Sequence, residues 1–325
     1  MAISQSKPVV FVHVSSSGGT ALCKWAQEQP CGRVPACGAN CNLNCAHPWD
    51  WKTACRPPAC APPIQPCRAP FKPGCDGLAR YARRRNLTFF ASETLLKERC
   101  FSHFDYVTVL RDPIARLQSQ ILRSSMAPNT WLKALLDRRY AFNTSTSSSF
   151  MGTAALDNYV TRLLLGPSAF FLPLRGINSS HFQAASRILA AFTLAIPIDR
   201  LEQDGAVLLR ARLGWHGAPE RSNSHRRALM RRAAAGRQLG AAPHSSARHA
   251  APSSISDRHL RVLTDLNQYD LRLLEEARVR FDAQLRQLQT QLQAGRVAAP
   301  TSPCAIRQQP QCPTGRSSWH LGAPI

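Results

Sequence analysis

An α/β fold, with a parallel sheet flanked by helices, is the class this sequence predicts, and three observations carry the prediction. Four short apolar runs, rich in β-branched and aromatic residues, are spaced along the chain; helical patterns lie between and after them; and Ser, Gly and Pro mark the joins. Runs that are apolar on both faces suit strands covered from both sides, and strands that alternate with helices pair in parallel through crossovers. The chain has 325 residues, 44% of them apolar, which is enough for a sizeable core. Domains of about 100–200 residues make this one large unit or two small ones.

The first expected strand is PVVFVHV at 8–14, followed by a short helix over 20–27. Later strands are LTFFA at 87–91, YVTVL at 106–110 and FTLAI at 192–196. After the third, Asp112 and Pro113 supply an N-cap and a first-turn proline for a helix reaching residue 123. Further helical patterns cover 154–165, 182–191 and 201–213, and one long helix is expected over 256–293. The tail 296–325, with its Pro, Ser, Thr and Gln, reads as disordered.

Residues 31–75 interrupt this pattern as a Cys/Pro-rich loop insertion. Eight of the 12 cysteines fall there (Cys31, Cys37, Cys41, Cys45, Cys55, Cys60, Cys67 and Cys75), with ten prolines between Pro30 and Pro73. Prolines remove hydrogen-bond donors and break helices, so stapling by disulfides is expected, with no pairing singled out. A structural zinc held by Cys37, Cys41, Cys45 and His47 is the competing reading. Three N-x-[ST] acceptors at Asn86, Asn143 and Asn178 point, with the disulfides, toward a secretory lumen.

The charge is strongly basic, 41 Lys+Arg against 19 Asp+Glu, a formal +22. Part of the excess sits in 210–248, where nine arginines meet one acid, Glu220, so 214–254 reads as a mobile basic loop. The arginines lack the aromatic interleaving that would suggest bases stacking on a platform, so nucleic acid is not the expected partner. No stretch has the ~18 apolar residues of a membrane helix, and the N-terminus lacks a signal-peptide pattern. The expectation is a chain soluble in the cytoplasm, or one that begins inside its domain without its targeting segment.

Two places carry chemistry. The first strand runs through Ser15, Ser16, Ser17, Gly18, Gly19 and Thr20 into a helix, an arrangement that turns backbone N–H groups toward an anion, although neither a Walker loop nor G-x-G-x-x-G is present. An ordinary turn is the competing reading. The third strand ends at Arg111, with Ser119 two turns into the next helix. That edge of an open sheet is where ligands bind, and arginine offers a forked, permanent charge for phosphate.

Together, FVHVSSSGGTALC and YVTVLRDPIARLQSQ resemble the sulfotransferases that use 3′-phosphoadenosine-5′-phosphosulfate (PAPS), closest to the Golgi carbohydrate branch of heparan and chondroitin type. The likeness continues in LDNYVTRLLLG, FTLAIPIDRLEQDGAVLLRARLGW and LTDLNQYDLRLLEEARVRF, so a sulfotransferase domain is expected over 8–285. The resemblance implies a P-loop-like sheet, a 15–20 loop holding the 5′-phosphosulfate, Arg111 and Ser119 holding the 3′-phosphate, and chemistry that needs no metal. It implies sulfuryl transfer from PAPS to a hydroxyl acceptor, on a carbohydrate that can itself be anionic, in the Golgi lumen or at its membrane.

One position departs from the family. Its loop lysine falls on Ser16, which supplies no positive charge, and losing one such stabiliser costs about 10²–10³ in rate. Lys24, Lys7, His13 or an arginine from elsewhere are candidate substitutes, and His13 reads equally as a packed strand-end residue. A weakened relative that binds PAPS or an anionic glycan is therefore the alternative. Family members place a Glu or His base at the end of a neighbouring strand, where this chain has Glu93, which reads equally as a helix cap; His103 is a second candidate with a structural reading. Arg162 is expected to pair with Asp157 rather than face a ligand.

Overall fold

The computed structural model describes residues 7–30, 32–35, 40–43, 74–93, 95–96, 98–121, 152–217 and 255–295. The expectations for Cys31, Cys37, Cys45, His47, Cys55, Cys60, Cys67, Asn143, residues 218–254 and the tail 296–325 lie outside the described residues.

The four apolar runs form four strands: β1 (Val9–Val12), β2 (Phe89–Ser92), β3 (Asp105–Leu110) and β4 (Leu194–Pro197). They make one sheet in the order β2-β1-β3-β4, and all three pairings are parallel. In register, Phe11 of β1 lies opposite Ala91 on one side and Val107 on the other. Side chains alternate across the sheet. Val9 and Phe11 join one core with Leu22, Trp25, Leu208 and Leu209, whereas Val10 and Val12 join the opposite core with Leu163, Phe182 and Leu273. Helices cover both faces, so the strands carry apolar residues on both faces rather than alternating.

Those helices are α1 (Gly19–Glu28), α2 (Cys75–Arg84), α3 (Pro113–Ile121), α4 (Tyr159–Leu165), α5 (Ser179–Ala190), α6 (Ala206–Leu213), α7 (Asp257–Leu266) and α8 (Gln268–Gln293). A π-helical turn at Leu201–Gly205 leads into α6, which completes the helix expected over 201–213. The helix α2 was not expected, since it starts at the last cysteine of the insertion. Its ends suit the helix dipole, with Asp76 in the first turn and Arg83 and Arg84 in the last.

Two expected helices are broken. The pattern over 154–165 is a short 3₁₀ turn at Gly152–Ala155 and then α4, and the pattern over 256–293 divides at Asn267 into α7 and α8. The breaks are clasped to each other. Asn267 Oδ1 accepts from Asn158 N (3.2 Å) and its Nδ2 donates to Leu156 O (2.6 Å), while Asn158 Oδ1 accepts from Tyr269 N and Asp270 N. The Asp270 carboxylate takes the N–H groups of Val160 and Thr161 at 2.8 and 2.9 Å, so each helix start is satisfied by a side chain of the other. Burial nevertheless pushes the Asp270 carboxyl above its usual range.

Arg162 is fully buried and pairs with Asp157, as the sequence suggests. It also donates to the carbonyls of Asp157, Ala169, Phe170, Leu172 and Pro173, gathering the chain that follows α4 around one guanidinium. At the near end of the basic segment, Trp215 is buried edge-on against Trp25 and Phe89 rather than lying in a mobile loop. No helix among the described residues is long and apolar enough to cross a membrane.

The cysteines form disulfides, as expected, and the competing zinc reading is the one that fails. Disulfides join Cys23 to Cys41 and Cys75 to Cys100, so two cysteines of the insertion pair with cysteines outside it. The insertion is thereby stitched to the sheet layer. Cys41 has no thiolate left for zinc, which removes the four-ligand site proposed from Cys37, Cys41, Cys45 and His47. The grouping of Cys75, Cys100 and Glu98 is disarmed in the same way.

Candidate functional site

Because every strand is parallel, the carboxyl ends of β1, β2 and β3 open on one edge of the sheet, and the sequence-derived candidates follow those ends. His13 and the 15–20 loop follow β1, Glu93 follows β2, and Arg111 follows β3. Ser119 is in the second turn of α3 and half-buried.

The loop is tightly wound. Ser16 adopts φ 66° and Gly18 φ 82°, both left-handed, and Ser17 N donates to Val14 O (3.1 Å). Glycine meets that backbone demand at 18 without strain; Ser16 does so at a cost. Ser15, Ser16 and Ser17 are all buried, and Ser17 Oγ has no hydrogen-bond partner among the described residues. Directly after it, α1 begins at Gly19, and the first-turn N–H groups of any helix lack partners inside it. Gly19 is needed for another reason: a Cβ there would lie 1.9 Å from His13 Nε2. The imidazole therefore rests directly on the helix start, with its other face stacked near Phe11 (centroids 5.3 Å apart).

His13 is 4% exposed and its Nδ1 lies 3.5 Å from Glu93 Oε2; Glu93, 30% exposed, is open to a molecule arriving at the edge. Arg111 Nη1 donates to Ser16 O at 3.1 Å. A guanidinium thus stands against Ser16, a loop position whose own side chain carries no charge. The other candidate cations are elsewhere: Lys7 donates to Phe101 O before β1 begins, and Lys24 is exposed along α1. His103 pairs with Asp76 at 3.2 Å, at the start of α2, and is not beside Glu93.

Two contributors escaped the sequence reading. Arg116, five residues after Arg111, is fully buried; it donates to Ala155 O and Gln120 Oε1 and lies 4.5 Å over the Tyr159 ring. Burial pushes its guanidinium below the usual arginine range and the Tyr159 phenol above its own. It is a strut beneath the site. Asn42, inside the insertion, donates from Nδ2 to Glu93 Oε2 at 2.9 Å. Nothing in a Cys/Pro-rich composition marks it, because its place comes from a strand-like pairing of 41–43 with β2.

The arrangement combines a helix start and wound loop for an anion, a cation against that loop, and a carboxylate beside an imidazole for moving a proton. No protein-family model matches the chain, and no curated protein matches it in sequence.

Proposed function

We propose that this chain is a PAPS-dependent sulfotransferase acting on a hydroxyl of a carbohydrate, with the sulfotransferase form of the α/β fold. The observation that carries the reading is the contact of Arg111 with the Ser16 carbonyl, which puts fixed positive charge at the loop position that lacks the lysine. The buried, unpartnered Ser17 hydroxyl and the first turn of α1 suit a phosphosulfate, and Arg111 with Ser119 suits the 3′-phosphate.

In the reaction, Glu93 takes the proton of the acceptor hydroxyl as its oxygen bonds to sulfur. The bond from sulfur to the bridging oxygen breaks, and 3′,5′-adenosine bisphosphate leaves with its added negative charge toward Arg111 and the loop N–H groups. His13, resting on Gly19 and facing Glu93, links the base to the anion loop. The two disulfides suit an oxidising compartment such as the Golgi lumen.

Ser16 favours a second reading, a relative that binds PAPS or an anionic glycan with little turnover. Calorimetric titration with 3′,5′-adenosine bisphosphate tests the shared part: saturable binding lost in Arg111→Ala is expected, and unchanged affinity in that variant overturns the site. Ser16→Lys then separates the two readings. A large gain from a near-zero baseline favours the weakened relative, and strong wild-type transfer favours the enzyme.

A further inference from the structure

We infer that Asn42, fastened in place by the Cys23–Cys41 disulfide, is a positioning residue for Glu93. The inference rests on the reading of Glu93 as the base of sulfuryl transfer. Residues 40–43 are a short piece of the insertion with no helix or sheet of their own, yet they are attached at four points around the site. Asn40 Oδ1 accepts from Thr20 Oγ1 in the first turn of α1 (2.7 Å). Cys41 is bonded to Cys23 of the same helix. Ala91 N donates to Cys41 O and Leu43 N to Ala91 O, both at 2.8 Å, which lays the segment along β2. Asn42, between those two ladder bonds, sends its amide to Glu93.

Covering the edge of β2 needs only the backbone of 41–43. The side chain at 42 is 8% exposed and its Oδ1 has no hydrogen-bond partner among the described residues. For packing alone, a buried acceptor left unsatisfied is a penalty that an apolar side chain would avoid. What asparagine supplies is one neutral donor to one carboxylate oxygen. It orients Glu93 beside His13 without adding a positive charge, and the cross-link to α1 fixes that oxygen relative to the anion loop.

Three variants test this: Asn42→Ala, Asn42→Asp and Cys23→Ser/Cys41→Ser. Each is first titrated with 3′,5′-adenosine bisphosphate to confirm a folded nucleotide site. Expected is unchanged nucleotide affinity, with kcat lowered about tenfold in Asn42→Ala, the size of one charge-assisted hydrogen bond. The isosteric Asn42→Asp, which sets a second carboxylate against the first, should lose more. The serine pair should match Asn42→Ala, and combining the two should add little. A structural filler predicts the reverse order, with aspartate tolerated better than alanine, and that result overturns the inference. If wild-type protein transfers no sulfate to any acceptor, the parent reading falls and the side-chain amide resonance of Asn42 decides the positioning contact. A resonance unmoved by Glu93→Gln overturns it, and one that moves in Glu93→Gln but not in Arg111→Ala upholds it.

Discussion

Replacing Arg162 by lysine should destabilise the domain although the charge is kept. The guanidinium makes six contacts: Nε to Asp157 O (2.6 Å), Nη1 to Ala169 O, Phe170 O and Leu172 O (3.1, 3.2 and 2.7 Å), and Nη2 to Pro173 O (2.9 Å) and the Asp157 carboxylate. An ammonium has three N–H groups radiating from one point, so at least half of these buried or part-buried acceptors lose their donor. At about 1–3 kcal/mol for each buried group left unsatisfied, offset by partial rearrangement, the expected loss is about 3 kcal/mol. Arg162→Leu also strands the Asp157 carboxylate and should cost about 3–5 kcal/mol. For a domain of this size each kcal/mol lowers Tm by about 2–4 °C, so the lysine variant should melt about 6–12 °C early and the leucine variant earlier still. Thermal melts with hydrogen exchange provide the assay, and protection should fall first at 166–173. A lysine variant melting with the wild type would refute the reasoning, because it would mean that charge alone organises the segment.

Gly19→Ala should destabilise by about 1–2 kcal/mol, since the new Cβ overpacks His13 by more than alanine gains in helix propensity; a variant as stable as wild type, with an unshifted His13 ring resonance, would contradict the packing described. Opening the Cys75–Cys100 bond by Cys75→Ser/Cys100→Ser releases a loop with a sequence separation of 25. On the chain-entropy estimate it should cost about 3.5 kcal/mol in urea titrations. Hydrogen bonds from Arg278 hold the Asp199 carboxyl below its usual 3.8. That stabilisation is present in full above pH 3.8 and is lost as the pH falls through the lowered value. The pair is well exposed, so the gap between wild type and Asp199→Asn should be under about 1 kcal/mol at pH 6 and close on acidification; a gap that widens would reverse the assignment.

The strands were legible because burial on both faces leaves a continuous apolar run, a signal that survives without any partner in view. The helix breaks at Asn158 and Asn267 were not, because each is stabilised by the other across more than a hundred residues while the apolar period continues through both. The same limit applies at the edge. His13, the 15–20 loop, Glu93 and Arg111 could be named from strand ends alone, and they follow neighbouring strands in space. Arg116 stands in the same motif as Arg111, and spacing gave no sign that it is buried against Tyr159. Asn42 depends on a cross-link between Cys23 and Cys41 that no count of cysteines could select.

The pairing of 41–43 with β2 has a consequence for how the chain survives its own synthesis. In the order β2-β1-β3-β4, strand β2 is terminal, and its outer row of N–H and C=O groups belongs to an apolar stretch, Phe89-Phe90-Ala91. An uncovered row of that kind is a template for pairing between molecules. Among the described residues, Arg33 and 41–43 lie along that row, and one sulfur–sulfur bond is the covalent tie that holds 41–43 to α1. Where thiols stay reduced that cover keeps only its hydrogen bonds, and newly made chains can more readily zip together along β2. The yield of dispersed protein thus becomes a readout of the redox state of the compartment that makes it.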